Sequence, residues 1–490
     1  MSLDPLTPVL VGVGALTEQV EDPREASEPL ELMAAALGRA AEDAGSKAIL
    51  AEIDTIWIPH GFWPYSNPGR LLAERFGAPS ARNVVAEIGI LQTSILGRAA
   101  RALAEGRSEV AVIVGGESRD RSSRLRRAGL EEPMTVQTDS QPDEILRPAT
   151  EIMSRFEIDL GLVTPTIQYA MIDNALRYHE GQSLADHRAE LGALWGDFNR
   201  VAVDNPEAWN RLPMTPEAIT SPGESNRMLS FPYTKSLVSQ WNVNQSGGLI
   251  LCTLEKAQRL GLDPSRFIYP LAVVDSEHTV TLSERRDLYR SPGFKLAGER
   301  ALSHVGLAIE EVEHFELYSC FPAAVRVQQR ELGVDLRHRV TETGGMTFAG
   351  GPLNNFTIQS WVKMVQVLRR DPGSTGLVTA VSGLLTKQGV SILGPEPTSP
   401  FLFDDVTEAA KADQVTMMVE PGAEGHARVA GYTVIHARDG ASTVALVCDF
   451  DERRRTLRVV EDLKLAEEGM HSELCGREVL LGASGALRWI

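Results

Sequence analysis

One pattern of strands and helices occurs twice along the chain, and this duplication restricts the possible folds more than any other feature. Strands and helices alternate over about the first 120 residues, and the same order returns after residue 263. The segments "AAALGRAAEDAG…AEIDTIWI" and "AGERALSHVG…IEEVEHFEL" also share their local composition. Two copies of one βαβαβαβ unit predict an α/β protein with two related sheets. Chance similarity between ordinary α/β segments is the alternative interpretation.

The duplicated pattern is interrupted once and is followed by a different one, which predicts four parts. The segment between the copies is polar and loop-rich, with helical patches such as "SLADHRAELGALWGDFNRVA", and insertions of this size often form lids. Beyond "GPEPTSPFLFDD", short alternating runs separated by "RDG" predict antiparallel hairpins and a small β-barrel-like domain. The predicted parts are a first half at 1–118 and 233–262, an inserted loop or lid domain at 119–232, a second half at 263–395 and a C-terminal β domain at 396–490.

Charge and hydropathy exclude several classes of function. The formal net charge of −18 opposes a sequence-independent affinity for nucleic acid or anionic membranes. No apolar run reaches the roughly 18 residues that a membrane-spanning helix requires, and the start "MSLDPLTPVLVGVG" lacks the pattern of a signal peptide. We therefore expect a cytoplasmic protein with no membrane span and no nucleic-acid partner.

Motifs for metals and permanently bound cofactors are weak. The four cysteines are far apart and include no C-x-x-C pair, so they indicate neither a zinc site nor a disulfide framework. The segment "VLVGVGALT" has Gly12 and Gly14, but Thr17 stands where the third glycine of a dinucleotide fingerprint belongs. We therefore expect no metal and no permanently bound cofactor.

Each half has a glycine-bearing turn before its third predicted helix. The turns are "EIGILQTS" in the first half and "FAGGPLNN" in the second. Free N–H groups and the helix dipole favour anions and nucleophiles at the N-terminus of a helix. Two related turns that meet across a pseudo-twofold axis would form one shared site.

Six stretches occur in this order along the chain: "PVLVGVG", "RAARALAEGRSEVAVIVGGES", "FPYTKSLVSQWNVNQSGGLILCT", "HFELYSCFP", "TGGMTFAGGPLNN" and "LVTAVSGLLTKQGV". In these stretches the chain resembles the thiolase superfamily, particularly the sterol-carrier-protein-type thiolases and thiolase-like proteins labelled acetyl-CoA acetyltransferases. The resemblance covers about residues 6–395. It implies a doubled five-layer α-β-α-β-α core with a lid-like loop domain and a small C-terminal antiparallel β domain. It also implies CoA or an acyl-CoA as substrate or ligand, a role in acyl-CoA and lipid metabolism, and a homodimer through the core.

Two catalytic positions of the family depart from its pattern in the turns described above. A nucleophilic cysteine begins the third helix of the first half in a working thiolase, and here the matching residue is Gly89. A histidine of a Gly-His-Pro motif activates that cysteine, and here Gly351 stands in its place.

The other two catalytic positions also differ. A second cysteine, in Cys-x-Gly, moves a proton of the substrate, and here Val381 takes its place, with Ser382 and Gly383 beside it. An Asn-Glu or His-Asp pair holds water and the oxyanion, and here Tyr318 and Ser319 align with that pair. The resemblance therefore predicts no ordinary thiolysis of acetoacetyl-CoA.

Cys320 raises a separate question, because it follows an apolar strand at a position where an α/β enzyme could present a nucleophile. By resemblance, it matches a position next to the catalytic pair that is often cysteine. A nucleophilic role would need a base. His314 lies on the same strand but is displaced along it, and His60 closes the matching strand of the first half. A semi-buried thiol that packs against the site is the alternative interpretation.

Binding roles remain for the two turns. Without side chains at Gly350 and Gly351, a pantetheine arm or acyl group could lie against the backbone. Asn354 and Asn355 could donate to a thioester oxygen or cap the following helix. Gln92 and Thr93 could serve the first-half helix in the same way.

Tyrosines offer a different chemistry. Tyr318 and Tyr233 could act as general acids or bases if their pKa values were shifted toward neutrality. The charge of Lys235 could lower such a pKa, or Lys235 could be a surface residue. Some thiolase-like proteins cleave carbon–carbon bonds by retro-aldol chemistry without the cysteine nucleophile, which fits a site with tyrosine.

Three functions therefore stay open. The first is an acyl-CoA enzyme of the thiolase superfamily with replaced catalytic residues and aldol-type or other non-standard chemistry. The second is a non-catalytic acyl-CoA or lipid binder. The third is an active acetyl-CoA acetyltransferase that uses Cys320.

Overall fold

The first half of the chain alternates strands and helices in the predicted order. The structure is a computed structural model that describes residues 3–138, 140–438, 442–483 and 486–490. The strands are largely buried and the helices bury one apolar face, as the spacing of the apolar residues predicts. The elements are β1 (Pro8–Thr17), α1 (Pro29–Asp43), β2 (Thr55–Pro59), α2 (Pro68–Phe76), β3 (Arg82–Ala86), α3 (Gln92–Ala104) and β4 (Val110–Ser118).

The insertion is more helical than its polar sequence suggests. Its polar residues are misleading because several of them pair with one another inside the protein: Asn174 accepts a hydrogen bond from the buried Arg177. The elements are α4 (Arg119–Arg127), β5 (Glu144–Leu146), α5 (Arg155–Asp159), α6 (Pro165–His179), α7 (Leu184–Asp204), α8 (Pro216–Thr220) and β6 (Met228–Ser230), and β7 (Tyr233–Thr234) follows directly after the insertion.

The chain then returns to the first sheet and builds the second half. Strand β8 (Asn244–Thr253) and helix α9 (Leu254–Arg259) complete the first half. The second half contains β9 (Tyr269–Ser276), α10 (Pro292–Val305), β10 (His314–Glu316), α11 (Pro322–Leu332), α12 (Gly345–Phe348), α13 (Phe356–Arg370), β11 (Gly376–Ser382) and β12 (Lys387–Gly394).

The two halves have matching sheet topologies, which confirms the predicted duplication. Strands β1-β8-β4-β2 of the first sheet and β9-β12-β11-β10 of the second follow the same order. Strand β8 in the first sheet and the equivalent strand β12 in the second each run antiparallel to both of their neighbours. The first sheet continues through β3 to β5.

Helices α3 and α13 form the central layer between the two sheets. One apolar core contains Leu96 and Ala99 of α3, Trp361 and Val365 of α13, and residues from both sheets such as Val273. Helices α1 and α10 pack on the outer faces of the sheets. The result is the predicted α-β-α-β-α arrangement.

Gly12 and Gly14 serve helix packing. A Cβ atom at either position would overlap backbone atoms of α1, at Ala40 and Ala36 respectively. The two glycines therefore allow α1 to lie directly on β1.

The C-terminal part is a mostly antiparallel sheet that also takes a strand from the insertion. Ile435 of its longest strand pairs with Ser230 of β6. The sheet is open, and no strand pair closes it into a barrel within the described ranges. The predicted "RDG" turn includes Asp439 and Gly440, which lie outside the described residues. The C-terminal part begins with β13 (Leu402–Asp405), which joins the second sheet beside β9. The remaining elements are α14 (Thr407–Asp413), β14 (Met418–Val419), β15 (Gly425–His436), β16 (Ser442–Asp449), β17 (Arg454–Val460), α15 (Leu463–His471), β18 (Glu478–Leu481) and β19 (Leu487–Trp489).

The predicted domain limits stay predictions, but the contacts between the parts are clear. Ala445 and Leu457 of the C-terminal sheet belong to the same apolar core as Phe294 of the second half and Trp195 of the insertion. In the part of the chain that the structure describes, no helix is both long and apolar enough to span a membrane.

Candidate functional site

The N-termini of the central helices α3 and α13 face each other, and we call this region the central junction. Gln92, the first residue of α3, donates a hydrogen bond to Asn354 Oδ1 and accepts one from Thr357 at 3.3 Å. Asn354 donates to the carbonyl oxygen of His60 at 3.3 Å. Residues from both predicted turns therefore meet.

Asn355 lies beside this junction with an unused amide. Its side chain is buried, and neither its nitrogen nor its oxygen has a hydrogen-bond partner among the described residues. It makes no capping hydrogen bond to α13, and Asn354 is engaged with Gln92. The capping interpretation is therefore wrong for both asparagines.

Gly89 lies in the turn before α3, at the position of the family's nucleophile. Its φ of 107° is in the region that favours glycine. A Cβ atom here would come within 3.0 Å of Pro148 Cγ. The space that a nucleophilic side chain would occupy is therefore covered by a residue of the insertion.

The glycine pair of the second half does not line an open groove. Gly350 has a φ of 108°, and Gln245 fills the space where its side chain would lie. Beside Gly351, a Cβ atom would come within 3.1 Å of Met346 and 3.4 Å of Ser239. Side chains therefore cover the backbone of both glycines. We expected a pantetheine arm to lie against this backbone, and that expectation is wrong for the arrangement seen here.

Tyr318 and Ser319 follow β10 and differ in what they can do. The Tyr318 ring is half-buried with its edge against Phe356, at 5.9 Å between ring centroids. Burial raises the pKa of its phenol above the ordinary value. Ser319 is fully buried, and its hydroxyl accepts the backbone N–H of Met346 at 3.1 Å. Ser319 therefore supports the loop that leads to Gly351.

Cys320 is a packing residue in this structure. Its side chain is only 8% exposed and belongs to the apolar core of the second half. Burial raises the pKa of its thiol to about 12. At neutral pH the thiol is protonated, so it lacks the thiolate character of a nucleophile.

Among the described residues, neither predicted histidine base forms a hydrogen bond with the Cys320 thiol. The ring of His60 packs on Trp63 at 4.5 Å between centroids, and burial lowers its pKa. His314 lies at the start of β10, where it contacts Glu342 at 3.1 Å and Asp371 at 2.9 Å. His60 remains at the edge of the central junction through its carbonyl group.

Tyr233 belongs to a buried polar network. Its hydroxyl donates to Asp173 at 2.7 Å, and Asp173 also contacts His187 and Arg326. Burial raises the pKa of Tyr233, and Lys235 is exposed. The prediction that the Lys235 charge lowers this pKa is therefore wrong.

Thr93 leads to a carboxyl group that sequence reasoning missed. Thr93 and Ser94 donate from the start of α3 to the two carboxyl oxygens of Asp275, each at 2.5 Å. Asp275 is buried on β9, and burial raises its pKa to about 7. A carboxylate near the end of the apolar run "LAVVDS" was the available signal.

A strained turn follows Ser382 at the end of β11. Gly383, Leu384 and Leu385 have consecutive positive φ values of 63°, 60° and 66°. Such conformations are uncommon for leucine and cost of order 1–3 kcal/mol each. The buried Arg285 stabilises the turn by donating to the Leu384 carbonyl at 2.8 Å.

Lys387 is the second residue that sequence reasoning missed. It begins β12 opposite Ser382, and its side chain is buried. Its Nζ donates to the carbonyl oxygen of Gly89 at 2.9 Å. Lys387 is the only charged residue in the stretch "LLTKQGVSIL", and this was the signal. The structure therefore brings an amine to the turn where the family has a thiol.

Residues 147–154 of the insertion lie over this region, and we call them the strap. Pro148 covers Gly89, and Ile152 packs against Gly383. Thr150 contacts Thr279 of the second half through their hydroxyls at 2.7 Å. The strap therefore covers Gly89 and Gly383, and the role of the whole insertion as a lid stays a prediction.

Other features lie apart from the central junction. A cavity of about 880 Å³ opens between α6, α10 and α11, and its lining includes His179, Lys295 and Leu332 but none of the predicted site residues. In the described ranges, no group of three or more His, Cys, Asp and Glu side chains could hold a metal ion.

Comparison with solved structures finds a full-length likeness. A monomeric SCP2-thiolase-like protein type 1 from Mycobacterium smegmatis is 25% identical, with 100% of both chains covered and a TM-score of 0.83. Two further structures share the fold at lower identity. The Ltp2-ChsH2(DUF35) aldolase is 20% identical over 80% of this chain and 98% of that chain, with a TM-score of 0.61. Acetyl-CoA acetyltransferase from Syntrophomonas wolfei is 16% identical over 79% of this chain and 98% of that chain, with a TM-score of 0.56.

No protein-family model and no curated protein matches the chain. Three observations support the same fold. They are the duplicated sheets, the central helix pair and the complete coverage of the mycobacterial structure. The chain therefore belongs to the thiolase superfamily, beside the SCP2-thiolase-like proteins.

Proposed function

We propose that the protein binds a CoA thioester at the central junction and does not catalyse ordinary thiolysis. The observation that carries this proposal is the chemistry of the four catalytic positions. Gly89 and Gly351 have no side chain that reacts, Ser319 is engaged with the backbone, and Val381 is a buried hydrocarbon. CoA or acyl-CoA is the substrate or ligand, and we propose no permanently bound cofactor.

Asn355 supports thioester binding at this place. A buried amide without partners costs free energy, which a ligand that accepts its hydrogen bond would recover. A thioester carbonyl oxygen is such an acceptor. Because the strap covers Gly89 and Gly383, we propose that the acyl chain enters when the strap moves away.

Within this proposal the reaction is of the aldol type. A raised pKa keeps the Tyr318 phenol protonated at neutral pH, so it can donate a proton to a developing alkoxide. This role differs from that of a tyrosine base, which would need a lowered pKa. The fold shared with an aldolase is consistent with such chemistry. The buried amine of Lys387 is a second group near the site that such a reaction can use.

The alternatives have unequal support. A non-catalytic acyl-CoA or lipid binder is favoured by the covered state of Gly89 and by the filled space beside Gly351. An acetyltransferase that uses Cys320 is disfavoured, because burial raises the pKa of the thiol to about 12.

We also propose that the protein works in the cytoplasm without a nucleic-acid partner. A homodimer through the thiolase core stays a prediction. Strand β5 pairs with β3 and covers that edge of the first sheet, so a dimer through this edge would have to displace β5. Light scattering during size-exclusion chromatography measures which state forms.

The first test combines calorimetry and an assay on one sample. We expect saturable binding of acetyl-CoA and no thiolysis of acetoacetyl-CoA. Thiolysis would overturn the proposal and return attention to Cys320. Absence of binding for both CoA and acetyl-CoA would also overturn it. Binding followed by turnover of a β-hydroxyacyl-CoA would favour the aldol-type reaction, and binding without turnover of any thioester would favour the non-catalytic binder.

A further inference from the structure

Lys387 has the surroundings of a reactive amine. Its side chain is 1% exposed, and its Nζ donates to a backbone carbonyl, that of Gly89, at 2.9 Å. Among the described residues it forms no ion pair with a carboxylate, and the charge that acts on it comes from Glu277. Buried lysines normally have a paired charge, because an unpaired ammonium is costly in the protein interior.

The backbone before Lys387 is held in an unfavourable conformation. Leu384 and Leu385 have positive φ values, and their carbonyl groups are fixed by buried side chains. Arg285 donates to Leu384 at 2.8 Å, and Ser291 donates to Leu385 at 2.8 Å. Strain of this kind concentrates at functional sites, where the surrounding structure maintains it. The strained turn therefore sets the direction from which Lys387 reaches Gly89.

Burial also changes the protonation of the amine. It lowers the pKa of Lys387, while the charge of Glu277 acts in the opposite direction. A lowered pKa increases the fraction of neutral amine, which is the nucleophilic form of lysine.

We propose that Lys387 is a catalytic residue that forms an imine with a ketone or aldehyde carbonyl of the substrate's acyl chain. The choice of a β-oxoacyl thioester as substrate class rests on the proposed function. The reactive group thus lies at the turn that carries the nucleophile in thiolases, but it reaches that turn from β12 of the second half.

The condensation balances without an oxidant or reductant. The nitrogen lone pair forms the C–N bond, and the carbonyl π electrons move to oxygen, which gains the proton that nitrogen loses. The C–O bond then breaks, the second proton from nitrogen joins the departing oxygen, and water leaves.

Reductive trapping tests this proposal. The full-length protein is incubated with acetoacetyl-CoA and sodium borohydride, digested, and mapped by mass spectrometry. We expect a stable adduct on the peptide that contains Lys387. The variant Lys387→Arg keeps a cation but cannot form an imine, so we expect it to lower the trapped fraction about tenfold or more.

Lys363→Met is the matched control. Lys363 is another partly buried lysine whose pKa burial lowers, and it lies on α13, where it donates to Asn205 at 2.9 Å. We expect trapping to persist in this variant. Thermal unfolding of all three proteins checks that they are folded.

A second probe separates the two proposals. Ethyl acetoacetate offers the same ketone without CoA. An adduct on Lys387 with this ester, combined with no binding of acetoacetyl-CoA, would overturn the proposed function and keep the reactive lysine. No adduct on Lys387 with either compound, or equal trapping in Lys387→Arg, would overturn the role of Lys387.

Discussion

Burial has opposite consequences for the two nucleophilic residue types near the site. A low-dielectric environment disfavours the charged form of any group. For Cys320 the charged form is the reactive thiolate, so burial makes the thiol inert. For Lys387 the neutral form is the reactive amine, so burial makes the side chain more nucleophilic. The same desolvation therefore removes cysteine chemistry and allows amine chemistry.

We predict that Cys320 resists alkylation in the folded protein. At pH 7.5, iodoacetamide should label it at less than about a hundredth of the rate seen after unfolding, because the thiolate is rare and the sulfur is covered. Peptide mapping by mass spectrometry measures the rate. Cys448, a buried thiol of the C-terminal sheet whose pKa burial also raises to about 12, is the internal control. Rapid labelling of Cys320 alone would contradict the packing role.

A second prediction at this scale concerns Glu117, at the end of β4. It is 3% exposed, it accepts the N–H of Phe62 at 2.9 Å, and burial raises its pKa from 4.5 to about 7. The folded state holds this proton more tightly than the unfolded state. Its stabilising contribution is therefore complete below about pH 4.5 and decreases as pH rises toward 7.

The variant Glu117→Gln keeps an acceptor for Phe62 and removes the titration. Relative to the natural protein, we expect the variant to gain on the order of 2–3 kcal/mol between pH 4 and pH 8. Urea unfolding at several pH values measures this change. Glu25→Gln, which alters an exposed carboxylate, is measured at the same pH values as the control for a Glu→Gln change at the surface. A constant stability difference for Glu117→Gln across the range would contradict the shift.

At the scale of elements, the strap and the turn before α3 are matched to each other. Gly89 leaves room for Pro148, and the positive φ of Gly89 would strain any other residue. We predict that Gly89→Ala lowers the free energy of unfolding by about 1–3 kcal/mol, because strain and the contact with Pro148 combine.

Gly181 provides the matched comparison for that prediction. It has a φ of 66° and nothing near the place where its side chain would lie, so Gly181→Ala should show the backbone effect alone. Adding Pro148→Gly should recover part of the loss in Gly89→Ala and none in Gly181→Ala. Urea unfolding of the single and double variants measures the coupling, and additive effects would contradict the contact.

Sequence patterns predicted the elements well where burial follows the period of a strand or helix. The duplicated order and the elements from β1 to β4 are examples. The patterns failed where polar residues are buried in pairs, as in α6 with Asn174 and Arg177. They also missed Lys387 and Asp275, because their significance depends on Gly89 and Thr93, which are about 180 or more residues away in the chain.

At the scale of the whole molecule, buried arginines connect the C-terminal sheet to the site. Arg455 of β17 donates to the carbonyl groups of Arg285 and Arg286, and Arg285 donates to Leu384 in the strained turn. Arg455 also pairs with Asp449 at 2.8 Å. The C-terminal sheet therefore contributes to the shape of the site without containing a predicted site residue.

We predict that Arg455→Met lowers the free energy of unfolding by about 2–4 kcal/mol, because it leaves Asp449 and the carbonyl groups of Arg285 and Arg286 without their donor. Chemical unfolding monitored by fluorescence measures the loss. Arg454→Met changes the neighbouring exposed side chain and should cost less than about 1 kcal/mol. Equal effects of the two variants would contradict the connection.

The position of β8 also has a consequence during translation. Strands β1 and β4 both pair with β8, which begins roughly 125 residues after β4 ends. At about 5–20 residues per second, a ribosome needs roughly 6–25 seconds to synthesise that distance. Throughout this interval the nascent chain exposes the unpaired edges of two valine-rich strands, so ribosome-associated chaperones should engage it most strongly before β8 emerges.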